Sequence, residues 1–203
     1  MCPIACSKRP RPYEAGPAPT RRGGLQGAAT HALGRVGYNR AMNFPDFYRK
    51  YKEATRARTH QVTVLLRDDH MPWRPVPDAM PIGEMLRHMW VSEEGVRRVA
   101  LEGDFTYYER RIPNGLAAVV GRPQTLGEEL ANLERVHQET LVKVAKLPAE
   151  EWERERVHEA LGIRRRIAVI LFGLIEHEVH HRAQLMTYLR MLGTPAPEPF
   201  ARR

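Results

Sequence analysis

The chain of 203 residues has few cysteines and no long apolar run. Its two cysteines, Cys2 and Cys6, fall at the very start, so the rest holds no disulfide framework and no thiolate metal ligand. The longest apolar run, residues 167–175, has nine residues, whereas a bilayer-spanning helix needs about 20. No basic segment precedes an apolar stretch typical of a secretory signal. The sequence therefore favours a cytoplasmic protein without a membrane span.

Positive charge is concentrated in residues 1–41. This segment contains seven Lys or Arg and one Glu, and so carries six of the eight net positive charges. It is rich in Pro, Gly, Ala and Arg, and we expect it to be disordered. Two interpretations stay open: a natural start at Met42, or a basic tail that contacts anions. The remaining chain is nearly neutral, so nucleic-acid binding is not expected.

The rest of the chain is typical of one globular domain, with 42% apolar and 28% charged residues overall. We expect this domain at residues 42–198 and a short tail at 199–203. Apolar residues recur at helical spacing, which predicts four long helices at about 44–67, 81–102, 125–147 and 165–192. Residues 103–124 contain several glycines and prolines and predict an irregular, aromatic flap. No strand is predicted, so the expected fold is all-α, an antiparallel four-helix bundle with a long crossover loop.

Histidines 177, 180 and 181 lie in the middle of the last predicted helix. Residues four apart share a helix face, with Cβ atoms about 6 Å apart, so His177 and His181 can hold one metal ion. The spacing of His177 and His180 also permits chelation, and spacing alone does not separate the two pairs. A third ligand must come from elsewhere, and His88 on the second helix is the best candidate. Imidazole binds Zn, Ni, Fe and Cu alike, so the metal stays open.

Two motifs carry a resemblance to the DinB/YfiT-like family of bacterial metal-binding four-helix bundles: Leu86-Arg87-His88 and His177-Glu-Val-His-His181-Arg-Ala-Gln184-Leu. The resemblance covers about residues 43–198. It implies that His177 and His181 are metal ligands, with His88 as the third and His180 as an outer neighbour. Ala183 departs from the glycine that members usually carry there.

The resemblance also implies a function. It implies a divalent metal ion (Zn, Ni or Fe) with one or more waters, and a bundle that often forms homodimers. Relatives include transferases that use a low-molecular-weight thiol, an isomerase of maleylpyruvate, and hydrolases. We therefore expect a metal-dependent enzyme of thiol S-transferase or hydrolase type that acts on a small molecule. The alternative is a non-catalytic metal-binding bundle with a stress-response or sensing role.

Other polar residues are candidates for the surroundings of the metal. Ligand histidines usually donate their second ring N–H to a carboxylate or carbonyl, which makes candidates of Glu178, Gln184, Tyr188 and Glu84. For His137 on the third helix, hydrogen bonding in the core is the favoured role.

An arginine run, 164–166, stands at the expected start of the last helix. Cations there oppose the helix dipole, which suggests an anionic partner. Pairing with nearby acids is the simpler interpretation, and the candidates are Glu151, Glu153 and Glu155.

Overall fold

The computed structural model describes residues 43–195 and 197. Predictions for residues 1–41 and 199–203 lie outside the described residues. The described part contains six α-helices and two strands: α1 (Phe44–Thr63), α2 (Ile82–Glu102), α3 (Thr106–Asn114), α4 (Ala117–Val120), α5 (Leu126–Val144), β1 (Glu155–His158), β2 (Ile163–Arg166) and α6 (Ile167–Met191). None of these helices is both long and apolar enough to span a bilayer. The four long helices are those that the sequence predicts.

Local sequence signals set the helix ends. Thr125 and Glu128 form a capping box at the start of α5, in which each side chain accepts from the backbone N–H of the other. Gly103 ends α2 with φ of +70°, a left-handed conformation that glycine adopts without strain. The start of α5 and the end of α2 are therefore both set by local sequence.

The four long helices pack around two apolar clusters at opposite ends of the bundle. The first cluster holds the C-terminal ends of α1 and α6 and the N-terminal ends of α2 and α5. The second cluster holds the opposite ends of the same four helices. α2 packs against α5 and α6, and α1 packs against α6 and α5. The pairs α2–α6 and α1–α5 are therefore antiparallel, and the segment between α2 and α5 is the crossover. The first cluster includes Val62, Met85, Leu86, Leu133, Leu185 and Leu189, and the second includes Tyr48, Ala100, Val144, Trp152, Ile167 and Leu171.

The crossover is more regular than predicted. It contains α3 and α4, which together form the flap. Asp104 caps the first turn of α3 by accepting from the backbone N–H of Thr106 at 2.9 Å, and Gly115 ends that helix with φ of +78°. The glycines that suggested an irregular segment thus mark helix ends, whereas Pro113 lies inside α3. The predicted packing of the flap on the bundle is confirmed, since α2 contacts both short helices.

The prediction that the chain contains no strand is wrong. β1 and β2 pair antiparallel, with Glu155 opposite Arg166 and His158 opposite Ile163. Gly162 closes the connection with φ of +63°. Arg164 joins Glu155 across the two strands at 2.9 Å, so charge pairing offsets the low strand propensity of these residues. The last helix consequently begins at Ile167, after the arginine run.

Candidate metal centre

Three imidazoles from two helices meet near the middle of the bundle. α2 supplies His88, and α6 supplies His177 and His181 on adjacent turns. The Nε2 atom of His177 lies 2.9 Å from Nε2 of His88 and 3.0 Å from Nε2 of His181. In the described part of the chain, this is the group of histidine, cysteine or acidic residues that could hold a metal ion. The structure thus brings together the three histidines that the sequence singled out.

The site keeps its imidazoles uncharged at neutral pH. Burial, followed by the charges of His181 and His88, lowers the pKa of His177 to about 3. Burial, followed by the charges of His181 and Arg111, lowers the pKa of His88 to about 4. Burial also lowers the pKa of His181. Metal ions bind the neutral form of imidazole, so protons do not compete for these nitrogens at pH 7.

Hydrogen bonds orient two of the rings. His181 Nδ1–H donates to Oε1 of Gln184 at 2.7 Å, which leaves its Nε2 lone pair facing the other rings. His88 Nδ1 lies 2.9 Å from Oγ of Ser92, and this hydroxyl lies 2.8 Å from the hydroxyl of Tyr107. Gln184 therefore contacts the candidate ligand His181, as the sequence analysis suggested.

Sequence reasoning missed Ser92 and Tyr107. Ser92 could have been found, because it lies four residues after His88 on the same helix face. Tyr107 lies on the flap, and no spacing rule links it to α2. Its ring fits because Gly95 has no side chain: a Cβ at that position would lie 2.5 Å from the Tyr107 ring.

Other candidates lie away from the three nitrogens. Tyr188 is buried, and its ring packs edge-on against Trp73. Glu84 is exposed on α2. His180 is exposed, and its ring contacts His181 edge-on. His137 is buried on α5, outside the histidine group, and its Nδ1 has no hydrogen-bond partner among the described residues.

Glu178 faces a different part of the interior. Its Oε2 accepts from Nζ of Lys52 at 2.8 Å, and the same ammonium donates to Glu93 at 2.8 Å. Arg56 lies 3.2 Å from Glu93 and 3.4 Å from Glu178. These four buried side chains form the charged tetrad, which joins α1, α2 and α6. Burial alone would raise the pKa of Glu178, but Lys52 and Arg56 outweigh it and lower this pKa to about 2.

A cavity of about 490 Å³ opens onto the three histidines. Its walls come from α2, the flap, β2 and α6. The side chains of Tyr107, Tyr108 and Arg111 contribute from the flap, and Arg165 contributes from β2. The site thus has room for a small molecule beside the imidazoles.

The donor set fits a divalent metal ion. A cation at the common point would bind all three Nε2 lone pairs at once, whereas a hydrogen bond between two rings requires one Nε2 to carry the proton and so removes that lone pair. Around a tetrahedral ion with Zn–N distances of about 2.0–2.1 Å, neighbouring nitrogens lie about 3.3 Å apart. The Nε2 separations of 2.9 and 3.0 Å are close to that value. Three protein donors leave a coordination position for water or substrate, as in catalytic zinc sites.

Fold and site together define a helical bundle with a histidine group that could hold a metal ion. A family model described as the DinB superfamily matches residues 52–185, so the chain belongs to that superfamily. A DinB-like protein from Bacillus subtilis is 20% identical with a TM-score of 0.56, over 79% of this chain and 99% of that chain. A DinB-like protein from Bacillus cereus is 16% identical with a TM-score of 0.57, over 76% and 93%. These structures support the fold alone, and no curated protein matches the sequence.

Proposed function

We propose that the protein binds a divalent metal ion through the Nε2 atoms of His88, His177 and His181 and acts as a metal-dependent enzyme. The observation that carries this proposal is the convergence of three uncharged imidazole nitrogens at the wall of a cavity. The reaction class is transfer to or from a low-molecular-weight thiol, or hydrolysis. Both reactions need a nucleophile formed at neutral pH.

A bound divalent ion supplies Lewis acidity, which lowers the pKa of a coordinated water or thiol. The protein's own residues position the imidazoles for this. Gln184 accepts from Nδ1–H of His181 and so keeps Nε2 of that ring free to bind. Ser92 holds Nδ1 of His88 in the same way, and Tyr107 links this serine to the flap. Such hydrogen bonds fix the tautomer and the orientation of ligand histidines.

The flap partly excludes water from the site. Tyr107 is buried, and Tyr108 and Arg111 are half-buried at the cavity wall. A substrate held there contacts the imidazoles and the aliphatic side chains of α6, and this partly apolar lining strengthens electrostatic interactions inside the cavity. This enclosure favours an enzyme over a bundle that only stores or senses a metal.

Elemental analysis of protein purified without a histidine tag tests the metal, and a substrate screen tests the reaction. The protein should carry close to one divalent ion per chain. Chelator-treated and metal-reloaded samples are then assayed on two sets of substrates. One set combines electrophiles with low-molecular-weight thiols, and the other contains esters and amides. Turnover that depends on reloading supports the enzyme. Full metal occupancy without turnover in either set would favour the sensing or structural alternative.

A further inference from the structure

Among the described residues, the charged side chains that line the cavity beside the histidines are arginines. Its described lining residues include the two arginines Arg111 and Arg165, while no aspartate or glutamate is among them. The fixed charge at the described cavity wall is therefore positive, which attracts anionic ligands and disfavours cationic ones.

Strand geometry accounts for the position of Arg165. Successive side chains of a strand point to opposite faces. Arg164 and Arg166 share one face of β2, where they pair with Glu155 at 2.9 Å and Glu153 at 3.0 Å. Arg165 points the other way and reaches the cavity. Its only described hydrogen bond goes to the backbone carbonyl of Arg164, so its charge has no described carboxylate partner.

Arg111 approaches the same space from the flap. Its guanidinium lies 5.9 Å from the centre of the Tyr107 ring, and it makes no described ion pair. It lines the same cavity as His88, His177 and His181. Two arginines from separate elements thus face one space without an acid to neutralise them.

A second cavity of about 610 Å³ continues from the first, between the flap and the β1–β2 hairpin. The two cavities share Tyr108, Arg111, Arg165 and Ile170, so both arginines line both cavities. The first cavity also has apolar lining residues, namely Val96, Val169, Ile170 and Leu174.

We propose that Arg111 and Arg165 form an anion subsite, so that the molecule bound at the histidines carries a carboxylate or phosphate group at its far end. The ligand class is a small organic anion with a metal-binding group, an apolar middle and an anionic terminus. Guanidinium groups bind either anion through two parallel N–H donors. This inference rests on the proposed metal function and names the ligand class of the same site.

The test uses full-length protein loaded with cobalt(II), whose thiolate charge-transfer absorbance reports binding of a sulfur ligand directly. Three thiol probes differ only in the terminal group: 3-mercaptopropionate, 2-mercaptoethyl phosphate and 3-mercapto-1-propanol. The 6-mercaptohexanoate and 6-mercapto-1-hexanol pair repeats the comparison at greater length. Dissociation constants are measured for the wild type and for Arg111→Gln, Arg165→Gln, Arg165→Lys and Arg164→Gln.

We expect an anionic probe of at least one length to bind the wild type about tenfold more tightly than its alcohol, as one hydrogen bond to a charged group provides. Arg111→Gln and Arg165→Gln should each remove most of this preference and leave the alcohol unchanged. Arg165→Lys should retain part of it because the charge remains. Arg164→Gln is the matched control on the outer face and should behave as the wild type. The tighter anionic probe identifies the anion.

Equal affinity for anionic and neutral probes in cobalt-loaded wild type, at both lengths, would overturn the anion subsite and leave the metal proposal intact. A preference that survives both glutamine variants would also overturn it. Failure of the wild type to retain cobalt is a different result, because it contradicts the proposed function itself.

Discussion

Replacing Lys52 by methionine should destabilise the fold strongly, although this residue contacts none of the three histidines. Its ammonium is fully buried and donates to Glu93 and Glu178, both at 2.8 Å. Methionine keeps most of the length of the side chain and removes the charge. The two carboxylates would then share Arg56 alone, at 3.2 and 3.4 Å.

The expected cost is about 3–5 kcal/mol, the usual effect of removing one partner from a buried ion pair. The cost arises because a buried carboxylate loses its positively charged partner. Neutralising one carboxylate as well should therefore restore part of the lost stability. The double variant Lys52→Met/Glu93→Gln should therefore be more stable than the sum of the two single changes predicts. Such a coupling is what a double-mutant cycle measures.

An exposed pair on the same helix provides the control. Arg49 and Glu53 lie 3.1 Å apart on α1, which also carries Lys52 and Arg56 of the charged tetrad. The side chains of Arg49 and Glu53 are 43% and 45% exposed. Arg49→Ala should change the free energy of unfolding by about 0.5 kcal/mol or less, since solvent screens such pairs. Urea denaturation of metal-free protein, monitored by circular dichroism, gives the free energies of unfolding of all five proteins: the wild type, the two single tetrad variants, the double variant and Arg49→Ala.

A cost of Lys52→Met no greater than that of Arg49→Ala would show that the charged tetrad contributes nothing specific to stability. Additive effects in the double variant would contradict the coupling between Lys52 and Glu93. A loss of metal affinity in Lys52→Met is expected only as far as the fold itself is lost, since the charged tetrad and the histidines occupy different faces of α6.

Four further variants test helix packing, the metal centre and a buried histidine outside it. Gly95→Ala should cost about 1–3 kcal/mol, because the added methyl meets the flap tyrosine at 2.5 Å, whereas Gly127→Ala has open space and should stabilise α5 by up to about 1 kcal/mol in urea denaturation. Gln184→Leu removes the acceptor of His181 Nδ1–H and should weaken metal binding about 10–100-fold in chelator competition; unchanged affinity would contradict that role. Burial, followed by the charges of Lys52 and Arg56, lowers the folded pKa of His137 from 6.5 to about 4, so its contribution to stability is present above pH 6.5 and is lost as pH falls towards 4. His137→Gln should therefore reduce the pH slope of unfolding in this window by up to about 1.4 kcal/mol per pH unit in metal-free protein; an unaltered slope would contradict this.

Much of the fold was predictable because local signals and the core agree. The capping box at Thr125 and the glycine after α2 set helix ends that the structure confirms. The histidine spacing was informative because a helix repeats every 3.6 residues, which places His177 and His181 on one face. His88 could be matched to them only through the resemblance and the apolar face of α2.

The remaining features depend on tertiary contacts that spacing does not encode. The hairpin is built from charged residues, whose pairing across strands becomes visible only when the register is known. Glu178 follows His177 in sequence, yet its carboxylate reaches Lys52 because the next helical position turns by about 100°. Tyr107 reaches Ser92 only because the flap folds back on α2. The homodimer, the thiol and the cytoplasmic location stay predictions.

The most direct test of the metal centre is the metal content of two adjacent variants, His181→Ala and His180→Ala. Both remove one imidazole from the same turn of α6, and both rings touch each other. Elemental analysis of the untagged proteins should find most of the metal missing from His181→Ala and most of it retained by His180→Ala. Metal that is lost from His180→Ala and kept by His181→Ala would contradict the assignment of Nε2 of His88, His177 and His181 as the ligands.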